Sequence, residues 1–465
     1  MLLPEITLTL TALLSQFFAV MLQGKNRIVA NITILLTILT IFVTLKYSYS
    51  ESILYLDYVM FTTNANIANY KAIILIFTII SMIIYQDYSV RSGEPLKFEF
   101  ITLILLSTVG IFVAISAQNF LLLFCAMELT ALTSYILAGF KLSDIKSSEG
   151  ALKYFILGSL VSCLSLFGIS FIYGFGGSLQ FSDIFYKLND SSSVNLGLVI
   201  GVVLFLSSIF FKLSSAPLHF WAPDVYEGSP IASVTYFTAA SKIGAVAILL
   251  NFENLIIKNY HPISYNLIKI IALLSMIFGA LGAIRQTSLK RLMAYSTILN
   301  IGYVLIGVLL RTEDGNKAAM LYMLIYAAAS IGFFTCLIML LVHQTDKTNF
   351  ESIQGIAENH KAIAAAICII MFSMIGIPPL AGFLGKYYLF YQAINQEEFL
   401  LAYFGIFTSV IAAFYYLKII KTMYFAEKPN PTKIPISYGS ISYGLLLINF
   451  VVIGFLLFGS FIISS

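Results

Sequence analysis

The chain has 465 residues, of which 59% are hydrophobic and only 10% charged, whereas an ordinary soluble domain carries about a quarter charged residues. That balance excludes the string of soluble domains that the length alone would suggest. The formal net charge of +4 is too small and too scattered for a nucleic-acid-binding surface.

A helix needs roughly 20 apolar residues to cross about 30 Å of hydrocarbon, and backbone facing lipid has to satisfy its own hydrogen bonds. On that rule the sequence predicts fourteen helical spans, over 4–23, 28–46, 70–86, 98–117, 119–140, 151–174, 195–225, 230–250, 266–284, 291–310, 317–343, 361–394, 399–425 and 437–462. The opening MLLPEITLTL has neither a basic stretch nor a small-residue cleavage site, so it reads as the first span and not as a signal peptide. The basic residues test this count. Fifteen, among them Lys25, Arg91, Lys146, Arg285, Lys290, Arg291 and Lys433, fall in or beside the loops after odd-numbered spans. Seven, among them Lys46, Lys71, Lys187 and Lys258, fall on the opposite side. Positive residues collect in the cytoplasm, so both termini are predicted outside.

Segments 195–225 and 361–394 are too long for single straight spans, at roughly 46 and 51 Å for 1.5 Å per residue. The first contains Ala216-Pro217-Leu218 and then Pro223; the second contains Gly376-Ile377-Pro378-Pro379-Leu380-Ala381-Gly382. Proline removes a donor and clashes with the preceding turn, so both are predicted to be interrupted helices. The two breaks lie five spans apart. Five is odd, which makes spans 4–8 (98–250) and 9–13 (266–425) candidate inverted repeats, an arrangement in which broken helices form the transport site. Three helices (1–90) precede them and one (437–462) follows.

Ionisable residues inside such spans are costly, by roughly 2.5–3.5 kcal/mol each at the centre on insertion scales, and usually functional. Glu128 sits in FLLLFCAMELTALTSYILAGF, Lys212 in LSSIFFKLSSAPLHFWAPD, Lys242 in VTYFTAASKIGAVAILL, Lys386 in GFLGKYYLF and Lys418 in AAFYYLKIIKTMYF. The bland reading of each is a packed or snorkelling side chain; it weighs most for Lys418, which Tyr415, Tyr416 and Tyr424 flank. The functional reading is a proton relay. A desolvated lysine holds its proton less tightly and a nearby carboxylate restores the grip, so relative movement of the two switches proton affinity. His219 is either a further proton carrier or a hydrogen-bonded core residue. Cys125, Cys163, Cys336 and Cys368 lie in apolar runs without a C-x-x-C pair and read as small buried packing residues. With only His219 well inside an apolar run, a bis-histidine haem is not expected.

Four blocks, in order, resemble one family. FKLSSAPLHFWAPDVYEGSP (211–230), QTSLKRLMAYSTILNIGY (286–303), MFSMIGIPPLAGFLGKYYLF (371–390), and FCAMELTALTSYILAGF with EGALKYFILGS (149–159) are similar to the antiporter-like subunit N family of respiratory NADH:quinone oxidoreductase, complex I. The resemblance covers most of residues 90–425. It implies an all-α membrane protein whose proton path uses Glu128, Lys212, Lys242 and Lys386, with His219 and Lys418 on further polar positions. It also implies no cofactor in this chain, because NADH, flavin, iron–sulfur clusters and quinone belong to other subunits. The implied partners are other membrane subunits of the complex, the bilayer and protons. The implied home is a bacterial inner membrane or, second, a mitochondrial one. Many wider relatives carry histidine where this chain has Asn300, which cannot titrate; the link there then needs water or Lys242. The absence of a G-x-G-x-x-G stretch or a cysteine cluster fits a translocase component that does not itself oxidise NADH. A stand-alone monovalent cation/proton antiporter subunit is the rival transport reading. A membrane scaffold without transport is the rival from another class, and the buried lysines weigh against it.

Overall fold

The computed structural model describes residues 2–22, 24–46, 52–56, 58–189, 195–252, 262–341 and 348–426. Among the described residues, eighteen α-helices follow one another in this order: α1 (Leu3–Met21), α2 (Asn26–Lys46), α3 (Ala65–Ser92), α4 (Phe98–Ser116), α5 (Phe120–Ala138), α6 (Ile145–Gly176), α7 (Phe181–Asn189), α8 (Leu196–Leu213), α9 (Trp221–Gly228), α10 (Ile231–Thr238), α11 (Ala240–Phe252), α12 (Pro262–Ile284), α13 (Leu289–Leu309), α14 (Glu313–Leu341), α15 (Ile356–Asn359), α16 (Lys361–Ile375), α17 (Ala381–Asn395) and α18 (Phe399–Phe425). Among the described residues, twelve spans are long and apolar enough to cross a membrane, α10 and α11 together making one of them; α16 is a shorter apolar helix. The segments predicted from 4–23 to 399–425 all fall on these helices. The one predicted at 437–462 lies outside the described residues.

The fold is nearly but not wholly helical. A hairpin of β1 (Ser52–Leu56) and β2 (Tyr58–Thr63), which the span reading did not foresee, stands between α2 and α3. It pairs onward, since the Gln118 N–H donates to the Met60 carbonyl at 3.0 Å and Gln118 Nε2 to Thr62 Oγ1 at 2.7 Å. At residues 117–119 α4 has ended and α5 has not begun, so those backbone groups need partners outside a helix. α6 starts earlier than predicted because Asp144 caps it, its side chain accepting from the Lys146 N–H at 3.0 Å; such a cap satisfies one orphan donor of the first turn. It ends at Gly177, whose φ of +67° suits glycine.

Both predicted interruptions are present. α8 stops at Leu213 and the chain resumes helix at Trp221; α16 stops at Ile375 and resumes as α17 at Ala381. Ser214 adopts φ +58° and Gly376 φ +93° at the two stops. A third interruption was not anticipated: Ala239, with φ −113° and ψ −89°, separates α10 from α11.

The chain forms two compact units. One comprises the described residues of 1–86, 95–213 and 228–267; the other comprises 87–94, 214–227 and those from 268 onward. The break after α8 is thus also where the chain passes from one unit to the other, within a span that sequence reading assigned whole to the first repeat. α13 and α14 each bury 94% of their apolar window, against 33% for α2 and α6. Peripheral helices such as α1 and α2 turn Leu13, Phe17, Leu39 and Phe42 outward, as expected where the surrounding medium is itself apolar. The same reason corrects the cysteine expectation. Cys336 is buried and Cys368 half-buried, but Cys125 and Cys163 are exposed on the outward faces of α5 and α6.

Within the first unit a buried ion pair ties the N-terminal helices together. Lys71 Nζ meets Glu5 Oε1 at 2.5 Å and donates to Ser116 Oγ at 2.6 Å, joining α3 to α1 and α4. Lys71 stands at the start of the predicted span 70–86, yet it is only 2% exposed. Removing one partner of a buried pair leaves an uncompensated charge and costs about 3–5 kcal/mol, whereas replacing both by apolar residues is often neutral. Lys71→Met is therefore expected to lower the thermal stability of the protein, and Lys71→Met with Glu5→Leu to recover most of it. Equal stability of the single and double variants would contradict this account.

Candidate proton-relay site

In the first unit the site starts from α5. Asn119 caps the helix, its Oδ1 accepting from the Leu121 N–H at 2.8 Å. Glu128 follows two and a half turns later. It shares a cavity with Lys212, Tyr135, Tyr154, Ser162 and Ser208, and the Ser162 hydroxyl donates to its Oε1. Gly158 keeps α6 close, since a Cβ there would lie 1.9 Å from the Tyr135 hydroxyl oxygen. Lys212 Nζ donates to the Met127 carbonyl at 3.2 Å, the peptide oxygen just before Glu128. Glu128 and Lys212 are both half-buried, so their cavity opens at the surface of this chain. Lys242 is 1% exposed, and its Nζ donates to the Lys212 carbonyl at 2.7 Å.

The break explains why that carbonyl is free. In a continuous helix the Lys212 oxygen would accept from the Ala216 N–H. That N–H instead donates to Ser275 Oγ at 2.8 Å, and Pro217 has none to offer the next carbonyl. The Lys212 and Leu213 carbonyls thus lack an intrahelical donor and lie at the negative end of the α8 dipole, which together attract a cation.

The second unit repeats the device with different parts. Lys386 is 7% exposed, and its Nζ donates to the Met374 and Ile375 carbonyls at 2.9 and 3.0 Å. The residues four positions on from these are Pro378 and Pro379, neither of which has an N–H. The two prolines therefore free the same two oxygens that take the lysine. Gly382 lets the half-helices meet: its N–H donates to Ser373 Oγ at 3.2 Å, and a Cβ there would fall 1.8 Å from the Ser373 carbonyl oxygen. The ammonium of Lys386 also stands 5.6 Å from the centre of the Tyr303 ring, a cation–π distance.

His219, 5% exposed, lies in the second unit between α8 and α9. It stacks on Phe220 and Phe278 at ring separations of 4.6 and 5.5 Å, and its Nδ1 is buried without a hydrogen-bond partner among the described residues. Lys418 is half-buried, reaches the Gln286 carbonyl at 3.4 Å and sits 4.5 Å over the Phe350 ring. Neither residue is hydrogen-bonded to Lys386. The structure thus brings Glu128, Lys212 and Lys242 into one chain of contacts, and holds Lys386, His219 and Lys418 at separate points. Sequence reasoning missed the Ala239 interruption three residues before Lys242; no proline or glycine signals it, only the small residues Ala239, Ala240 and Ser241. It also missed the polar partners of Asn300, which is 4% exposed and accepts from the Tyr322 hydroxyl at 2.5 Å. Their signal was the four-residue spacing of Ser296 and Asn300, and of Tyr322 and Tyr326, inside apolar runs.

A multi-span bundle with interrupted helices, lysines seated on the freed carbonyls and a carboxylate in the adjoining cavity defines an antiporter-like membrane subunit. Residues 117–412 match the family described as NADH:quinone oxidoreductase/Mrp antiporter, TM. The chain belongs to the NADH-quinone oxidoreductase subunit N family: it is 97% identical over 465 residues, 100% of both chains, to NADH-quinone oxidoreductase subunit N of Rickettsia bellii (strain RML369-C). It is 76% identical over 439 residues to the subunit of that name from Rickettsia felis (strain ATCC VR-1525 / URRWXCal2), covering 94% of this chain and 95% of the relative. Its fold is like that of a chain in the structure of respiratory complex I from Thermus thermophilus with bound aureothin, with a TM-score of 0.81 at 24% identity, over 100% of this chain and 99% of that one.

Proposed function

We propose that this chain is the proton-translocating, antiporter-like subunit of a bacterial NADH:quinone oxidoreductase in the inner membrane, working beside other membrane subunits. Electrons pass from NADH to quinone in those other subunits, and this chain moves protons through Glu128, Lys212, Lys242 and Lys386, with His219 and Lys418 as further stations. One observation carries the reading: Lys242 and Lys386 are both buried and both donate to carbonyls that a helix break has freed. A carbonyl oxygen accepts from an ammonium and from an uncharged amine alike, so such a lysine keeps its seat when it gives up its proton. The Glu128 carboxylate, in the same cavity as Lys212, supplies the movable counter-charge. Spans 4–8 and 9–13 are read as inverted repeats on the five-span separation of the two proline breaks and on the recurrence of the lysine-on-carbonyl device.

The matched family also takes in Mrp antiporters, so exchange of a monovalent cation for protons is the competing activity. Purifying the tagged chain in mild detergent is expected to bring down flavin- and iron–sulfur-containing subunits. Membrane vesicles carrying Glu128→Gln are expected to oxidise NADH with less proton uptake than wild type. Recovery of antiporter-type chains alone, with sodium-driven proton exchange in the vesicles, would transfer the reading to the antiporter.

A further inference from the structure

The second unit carries hydroxyl groups through the middle of an apolar bundle. α13 presents Ser296, Asn300 and Tyr303, spaced four and three residues apart and so on one face. α14 adds Tyr322 and α18 adds Tyr415 and Tyr416, and none of these six is more than 4% exposed. Phenylalanine would fill nearly the same space with no hydroxyl to satisfy, so buried phenols call for a reason beyond packing.

Their hydrogen bonds form an ordered set. The Tyr322 hydroxyl donates to Asn300 Oδ1 at 2.5 Å. Asn300 Nδ2 donates to the Ser296 carbonyl at 2.7 Å and lies 3.3 Å from Ser296 Oγ. Ser296 Oγ and the Tyr416 hydroxyl are 2.6 Å apart, and either can be the donor. The Tyr415 ring lies 4.5 Å from that of Tyr416, and its hydroxyl is buried with no hydrogen-bond partner among the described residues. On the other side, the Tyr303 ring lies 6.0 Å from that of Tyr322 and under the Lys386 ammonium. Lys418 comes three residues after Tyr415 on α18 and so shares its face of the helix.

We propose that the Ser296–Tyr416 hydroxyl pair, held in register by Asn300, is the proton-passing element of the second unit between Lys386 and Lys418. This rests on the proton-relay reading above and extends it to residues outside the lysine line. A hydroxyl oxygen takes a proton on a lone pair as its own proton leaves for the next oxygen. One proton enters, one leaves, and nothing is oxidised or reduced. Because either member of the pair can donate, it conducts in both directions. Asn300 does not titrate and is a positioning residue: Tyr322 clamps its oxygen, and its nitrogen keeps Ser296 facing Tyr416.

The test is the ratio of protons taken up to NADH oxidised, in vesicles holding the assembled complex. Tyr416→Phe and Ser296→Ala are each expected to lower that ratio several-fold at equal complex content, and Ser296→Thr, which keeps an Oγ, to restore it. The deuterium-oxide slowing of proton uptake is expected to change in Tyr416→Phe. A wild-type ratio in Tyr416→Phe, or equal loss in Ser296→Thr and Ser296→Ala, overturns the proposal. Lys386→Ala measured in parallel separates the two levels. A defective Lys386→Ala beside a normal Tyr416→Phe sinks the hydroxyl pair alone; normal pumping in Lys386→Ala sinks the lysine relay on which the pair depends.

Discussion

Replacing Lys242 by alanine is expected to lower NADH-driven proton pumping about a hundredfold or more, the scale of losing one positioned proton-transfer group, while the complex still assembles. The side chain is 1% exposed and donates to the Lys212 carbonyl at 2.7 Å. Its removal leaves that oxygen short of a partner, which costs about 1–3 kcal/mol. Such a loss is a fraction of a domain's stability of about 5–15 kcal/mol, so folding survives. Proton transfer is expected to fail on the proposed path, because Lys242 is the buried amine that reaches the backbone of Lys212, the lysine in the Glu128 cavity. Lys242→Arg is expected to restore the contact without the pumping, since guanidinium stays charged and cannot hand on a proton. Proton uptake and NADH oxidation in vesicles check both variants. Wild-type rates in the two together would make Lys242 a structural cap of α8 and remove the centre of the proposed path.

Gly382→Ala is expected to be the most damaging of the small substitutions in the second unit. The new methyl would fall 1.8 Å from the carbonyl oxygen of Ser373 and 2.7 Å from its carbon. Both are backbone atoms of α16, so no side chain can swing away. Overpacking of this kind costs about 1–3 kcal/mol and occasionally more. Here it would also push α17 off α16 and lift Lys386 from the Met374 and Ile375 carbonyls. Lower thermal stability together with lower pumping is the expected pair of results. Gly174→Ala is the control: a Cβ there has nothing within 4 Å, and alanine in a helix interior is favoured over glycine by about 1 kcal/mol. If both variants behaved alike, the close joint between the half-helices would not matter to the site.

What the sequence determined by itself was the spans from 4–23 to 399–425, the two proline interruptions and the charged residues inside them. These are legible because hydrocarbon imposes a length of roughly 20 apolar residues, because proline lacks an N–H wherever it stands, and because an ionisable side chain in an apolar run stands out against its neighbours. Even the seat of Lys386 was partly written there, since Pro378 and Pro379 name the carbonyls they leave free by counting back four. Tertiary structure alone decided which amine takes which carbonyl. Lys242 reaches Lys212 across thirty residues of chain, and Lys71 finds Glu5 across sixty-six. It also decided that α10 and α11 part at Ala239 with no helix breaker present, that a hairpin bridges α2 and α3, and that Ser296 faces Tyr416 from 120 residues away. The lysine, ion-pair and hydroxyl contacts among these join segments remote in sequence. Periodicity and composition describe one segment at a time and carry no information about which faces meet.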